Sequence, residues 1–145
     1  MATKPQTYEN HARLVVGYHV VALTILFVNL LWRLYVAVAR FSVDAVISLL
    51  LAVGLVLLWI YPRVFALTVQ DRVIRLEMRL RLARLLPPDL AGEVEAFTLD
   101  QLIGLRFASD AELPSLARRV LADRITDRKA IKKMVKDWQA DHLRV

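Results

Sequence analysis

The stretch Leu14–Trp32, LVVGYHVVALTILFVNLLW, holds nineteen residues without a charged side chain, and a second run, Ala45–Tyr61, reads AVISLLLAVGLVLLWIY. Roughly 20 helical residues, at about 1.5 Å each, cross the hydrocarbon core of a bilayer. The first run meets that length by itself. The second is slightly short, but Phe41 to Val43 extend it with Asp44 held at the interface, and tilt or local thinning takes up the difference. A secretory signal would end its apolar core after about 7 to 15 residues, with no second run behind it. The pattern predicts a transmembrane hairpin.

Working outward, Ser42 is placed to cap the second helix, and Asp44 sits in its first turn, where the helix dipole favours a negative charge. The connection is expected near Ala39 to Ser42. Trp32, Tyr35, Trp59 and Tyr61 fall at the predicted boundaries, where amphipathic rings sit at headgroup level. Lys4, Arg13, Arg63, Arg72, Arg75 and Arg79 flank the outer ends of the spans, against Arg33 and Arg40 in the connection. By the positive-inside rule both termini are expected in the cytoplasm.

Two seams follow from helical spacing. Ala45, Ser48 and Ala52 form a small-residue face on the second span that permits close helix approach, most simply within the hairpin. On the first span His19, Ala22, Leu26, Asn29 and Arg33 share one side. Polar groups in hydrocarbon need partners, so this seam is expected to face the other helix, another subunit, water or a cofactor. A neutral imidazole can ligate the metal of haem or chlorophyll, which makes His19 a candidate ligand. The plainer reading is that His19, only about 7 to 8 Å into the span by helix rise, reaches the interface.

From Pro62 onward the character changes, with 16 basic and 12 acidic residues against 4 and 2 before it. Pro62 is expected to kink the chain as it leaves the membrane. A juxtamembrane helix is predicted from Val64 to Leu86, with Val69, Val73, Leu76, Leu80 and Ala83 as its apolar seam. Arg63, Arg72, Arg75 and Arg79 then suit anionic lipid headgroups, although a solvated basic face or a stalk packed on later helices fits as well. Pro87, Pro88, Asp89 and Gly92 break the pattern. Thr98 with Gln101, and Ser109 with Glu112, have capping-box spacing and should open helices reaching about Phe107 and Arg124. A last helix is expected from about Asp127 to His142, placing Ala130, Ile131, Met134, Val135 and Trp138 on one face.

The fold class is therefore all-α, in three parts: an N-terminal cytoplasmic tail (1–13), the hairpin (14–61) and a basic cytoplasmic helical domain (62–145). With no cysteine there is no disulfide, thiolate metal site or catalytic thiol. Phosphate-loop, dinucleotide, zinc-protease and nucleophile-elbow motifs are absent, and the three histidines lack metal-ligand spacing. Enzyme activity has no positive support. Nucleic-acid binding through lysines 129, 132, 133 and 136 is disfavoured, because acidic residues 123, 127, 137 and 141 interrupt that surface.

Four polar blocks complete the reading: Lys4-Pro5-Gln6-Thr7-Tyr8-Glu9-Asn10-His11, Gln70-Asp71-Arg72 through Glu77-Met78-Arg79-Leu80-Arg81, Leu105-Arg106-Phe107-Ala108-Ser109-Asp110, and Trp138-Gln139-Ala140-Asp141. In these blocks the chain resembles a family of uncharacterised bacterial two-span membrane proteins, over essentially its full length. The resemblance implies architecture and a bacterial inner-membrane location, and no reaction. All four blocks lie outside the apolar runs, so Tyr8–His11 and Trp138–Asp141 are expected to dock on each other or on a partner. The expected role is a non-enzymatic accessory subunit contacting other membrane subunits and anionic lipid. The alternative is a small photosynthetic or respiratory subunit with chlorophyll or haem at His19, and a membrane-tethered nucleic-acid binder ranks last.

Overall fold

A computed structural model describes residues 6–10 and 14–141. A π-helical turn, Gly17–Ala22, leads into α1 (Leu23–Ala39), followed by α2 (Val43–Leu85), a 3-10 helix (Ala91–Ala96), α3 (Leu99–Leu105), α4 (Leu113–Ala122) and α5 (Arg128–Met134). Among the described residues there is no strand, and the one β-feature is an isolated bridge between Ala108 and Trp138. The fold is all-helical, as its patterning requires.

Two compact units result. One holds residues 14–67; the other brings residues 6–10 together with residues 68–141. The division falls inside α2, after Leu67, whereas composition alone puts it at Tyr61. The N-terminal residues 6–10 join the later helices instead of forming a separate tail.

In the first unit, Gly17–Ala39 and the apolar part of α2 are long and apolar enough to cross a membrane. The helices are joined at Arg40–Ser42, where Arg40 leaves helical geometry and Ser42 Oγ accepts the Ala45 N–H at 3.1 Å. Asp44 lies in the first turn of α2, against the positive end of its dipole. Pro62 is internal to α2 and does not end it. Its ring removes one N–H, and the intact turns on both sides carry the helix through.

The second unit is built on the Ile74, Met78 and Leu82 face of α2 and on Leu86 just past its end, all buried. This corrects the expected seam: Val69, Val73, Leu76 and Leu80 point away from the core and are exposed. Leu82, Leu102, Leu105, Phe107, Leu113, Val120 and Ile131 are fully buried, each worth about 1.5–3 kcal/mol of burial. The Thr98–Gln101 capping box forms, with Gln101 N–H on Thr98 Oγ1 at 3.3 Å and Thr98 N–H on Gln101 Oε1 at 2.8 Å. The second capping box does not form: α4 begins at Leu113, with Glu112 at its N-cap and no side-chain cap. Ser109 Oγ accepts the Glu112 N–H at 3.3 Å, but the Glu112 carboxylate turns away to accept the N–H groups of Lys136 and Asp137 at 2.9–3.1 Å.

Helix α4 ends with Arg124 in the left-handed region, φ 52°. The Ile125 N–H reaches Val120 O at 3.0 Å and the Arg124 N–H reaches Leu121 O at 3.1 Å, closing the helix in a Schellman pattern. Helix α5 stops at Met134, well short of the expected His142. Two backbone bonds outcompete continuation: Ser109 N–H to Asp137 O at 3.0 Å and Gln139 N–H to Phe107 O at 2.8 Å. They turn Trp138 onto the Phe107 ring, with centroids 4.7 Å apart.

Candidate functional site

In the first unit Tyr18, His19 and Trp59 gather where the start of one apolar run meets the end of the other. Tyr18 and Trp59 stack with centroids 4.8 Å apart and planes 16° from parallel. Tyr18 Oη donates to the Trp59 carbonyl at 2.5 Å, and Trp59 Nε1 donates to the Tyr18 carbonyl at 3.2 Å. A carbonyl has two lone pairs, so a backbone oxygen can serve its helix and still take an outside donor. This reciprocal clasp ties the π-helical turn ahead of α1 to α2. Boundary placement alone assigns Trp59 to the interface, whereas an antiparallel hairpin sets position 18 opposite position 59.

His19, next to the clasp, is half-buried, with its ring edge-on to Tyr18 at 5.1 Å. Its Nδ1 lies 3.1 Å from both the N and the O of Val15, so one backbone group engages it in either tautomer. Among the described residues Nε2 has no hydrogen-bond partner. The remaining seam residues divide: Ala22, Leu26 and Arg33 are half-buried, whereas Asn29 is exposed. The covered face of α1 advances in steps of four, from Ala22 to Leu26 to Leu30, and so leaves Asn29 off its edge. Beside it Val28, Leu31, Trp32 and Tyr35 line a shallow apolar groove. On α2, Ala45 and Ala52 are buried and Ser48 is half-buried.

In the second unit the functional groups gather on Arg81. Its side chain is only 15% exposed and makes four bonds: Nε to Asp110 Oδ1 at 2.7 Å, one terminal nitrogen to the Arg106 carbonyl at 3.1 Å, the other to the Ala108 carbonyl at 2.6 Å and Gln139 Oε1 at 2.8 Å. The planar guanidinium presents five N–H donors in a fixed fork, which suits this fan of acceptors. Nearby, Arg106 pairs with Asp141 at 3.5 Å. Asp141 N–H donates to Gln6 Oε1 at 2.9 Å, and Gln6 Nε2 donates to the Asp141 carbonyl at 3.3 Å. Ile74, Glu77, Arg81, Arg106, Gln139 and Asp141 border a recess of about 240 Å³.

The four polar blocks thus meet in one unit, in their described parts, and the N-terminal block docks on the C-terminal one. Lys133 lies over the Tyr8 ring at 5.6 Å, adding to that contact. His11 lies outside the described residues. The other expected basic sites differ in their engagement. Arg72 and Arg75 are exposed, Arg79 pairs with Glu95 at 2.6 Å, and Arg63 is half-buried. Lys132 is buried over the Phe107 ring at 5.0 Å, while Lys129 and Lys136 are exposed.

An all-helical chain with two helices long enough to cross a membrane, and flanking segments folded together, is the class of protein these features define. The chain belongs to a family of unknown function, DUF6526, whose model matches residues 1–145. No curated protein and no solved structure matches it.

Proposed function

We propose that this protein is a non-enzymatic accessory subunit of a membrane complex, set in a bacterial inner membrane by the α1–α2 hairpin, with both termini in the cytoplasm. The observation that carries this reading is Asn29. Its carboxamide is exposed on a face where Ile25, Val28 and Trp32 are exposed too. In hydrocarbon such an amide needs a partner, and α2 does not provide one, so a helix of another subunit would seat on the groove beside it. The joining of residues 6–10 with residues 68–141 supports termini on one side of the bilayer, and the basic residues outside the spans support the cytoplasmic side. The exposed Arg72 and Arg75 are available to anionic headgroups or to a partner.

Purification in mild detergent followed by mass spectrometry tests the reading. Another membrane protein should co-purify, and Asn29→Leu, which leaves the hairpin clasp intact, should lower its recovery several-fold. A particle containing this chain alone, or unchanged recovery with the variant, would overturn it.

A second reading rests on His19. When Nδ1–H donates to the Val15 carbonyl, Nε2 keeps its lone pair outward, the arrangement that orients a metal-ligating imidazole. A haem or chlorophyll held there would show a tetrapyrrole absorption band that His19→Ala abolishes. A purified native complex without the band removes this role. Membrane-tethered nucleic-acid binding is a weaker proposal, since Lys132 and Lys133 are already held over aromatic rings of their own unit.

A further inference from the structure

Val69, Val73, Leu76 and Leu80 lie on the side of α2 opposite its buried Ile74–Met78–Leu82 face, with exposures of 60, 47, 62 and 65%. Their steps of four, three and four continue with three more to the exposed Ala83. That alternation is the seam of a left-handed coiled coil. Its narrowness, two positions in seven, matters: an interfacial helix facing lipid shows a broader apolar stripe. Glu77 borders this seam directly, where anionic headgroups would repel it.

The flanking charges select the occupant. In a parallel pair, the residue just before one seam position faces the residue five places further on in the other helix. Arg72 of one copy then meets Glu77 of the other, and symmetry makes the contact twice. The next such pair, Arg79 with Arg84, would join like charges. Arg79 is paired within its own chain with Glu95 at 2.6 Å, and Arg84 shares Asp110, at 3.2 Å, with Arg81. Arg72 and Glu77 are exposed and have no ion pair among the described residues. At the Arg72–Glu77 contact the stripe is self-complementary.

We propose that α2 pairs in parallel with α2 of a second copy of this chain through the Val69, Val73, Leu76 and Leu80 seam. The parallel register rests on the membrane reading, because α2 runs without interruption from its apolar segment into this stripe, and copies inserted in the same sense present it at the same chain distance. Two heptads hold free helices only weakly, but anchoring both copies in one bilayer raises their effective concentration.

The chain has no cysteine, so single cysteines report directly. In full-length protein in native membranes, Val69→Cys, Val73→Cys, Leu76→Cys and Leu80→Cys should form a disulfide-linked dimer under mild oxidation. Their yields should exceed those of the off-seam controls Arg75→Cys and Ala91→Cys by at least roughly ten-fold, as a direct contact implies. Added to Leu76→Cys, Arg72→Glu or Glu77→Arg alone should lower the yield, and the two together should restore it.

Monomer at every position, equal yields on and off the seam, labelling of the stripe by a lipid-phase probe, or crosslinking to a different protein would each overturn the proposal. So would failure of the double charge reversal to rescue. Alkaline extraction of the same membranes separates the two readings. Protein that is released yet crosslinks on the seam refutes the membrane anchor, whereas protein that is retained but does not crosslink refutes the pairing.

Discussion

Gly104 sits in the middle of α3, a position where alanine would normally strengthen a helix by about 1 kcal/mol. Here a Cβ would lie 2.8 Å from both Cβ and Cγ2 of Ile131, with the Arg128 carbonyl at 3.4 Å. Ile131 is fully buried and branched at Cβ, so those atoms cannot swing aside without moving α5. Overpacking of this kind costs about 1–3 kcal/mol, which exceeds the propensity gain. Gly104→Ala should therefore lower the thermal midpoint of the second unit, and an unchanged or raised midpoint would mean that α3 and α5 do not approach this closely. The same scale explains why glycine here is not readable as a contact from sequence: nothing local to Leu102–Arg106 announces that Ile131 will lie against it.

At the scale of elements, what sequence made legible was what depends on local chemistry. The apolar runs, the Ser42 cap and the Thr98–Gln101 box all stand where spacing put them. The miss on α2 has a specific cause, since Val69–Leu80 and Ile74–Leu82 are both apolar stripes on opposite sides of the helix, and only the rest of the fold decides which is covered. The early end of α5 is likewise tertiary: Phe107 and Ser109 claim the backbone of residues 137 and 139. The clasp and the Arg81 fan were unread because their acceptors are mostly backbone carbonyls, which carry no residue signature.

The start of α5 yields a pH prediction. Asp127 caps it by accepting the N–H of Lys129 at 3.2 Å and of Ala130 at 3.0 Å, and these bonds, that from Lys129 first, hold its carboxyl below the ordinary aspartate range. A folded-state value below the unfolded one means the contribution is complete above the ordinary aspartate range and disappears as pH falls through the lowered value. The protection of α5 amides, exchange taken relative to the unstructured chain at the same pH, should fall through that acid window in the native protein, and Asp127→Asn, which caps without titrating, should lack this component. Identical acid profiles for the two would remove the cap as its cause.

For the molecule as a whole, the segments before and after the hairpin close into one unit, and Arg81 is the residue through which α2, the α3–α4 connection and the C-terminal segment are held together. Lysine at this position would keep the charge but offer one nitrogen in place of a planar fork, and could not reach Asp110, two carbonyls and Gln139 together. Losing charged hydrogen bonds at a side chain this well covered should destabilise the C-terminal segment by about 2 kcal/mol, roughly thirty-fold in its opening equilibrium. Hydrogen exchange across residues 135–141 reads this directly, through the Gln139 N–H bonded to Phe107 O at 2.8 Å. Trp138 supplies a second readout, because its contact with Phe107 ends when the segment opens. In Arg81→Lys, exchange at 135–141 should quicken and Trp138 should become accessible to an aqueous quencher, while the Tyr18–Trp59 clasp in the other unit stays intact. Wild-type protection at 135–141 would mean that the backbone pairing of Phe107 and Ser109 holds the segment alone, leaving Arg81 without a structural role there.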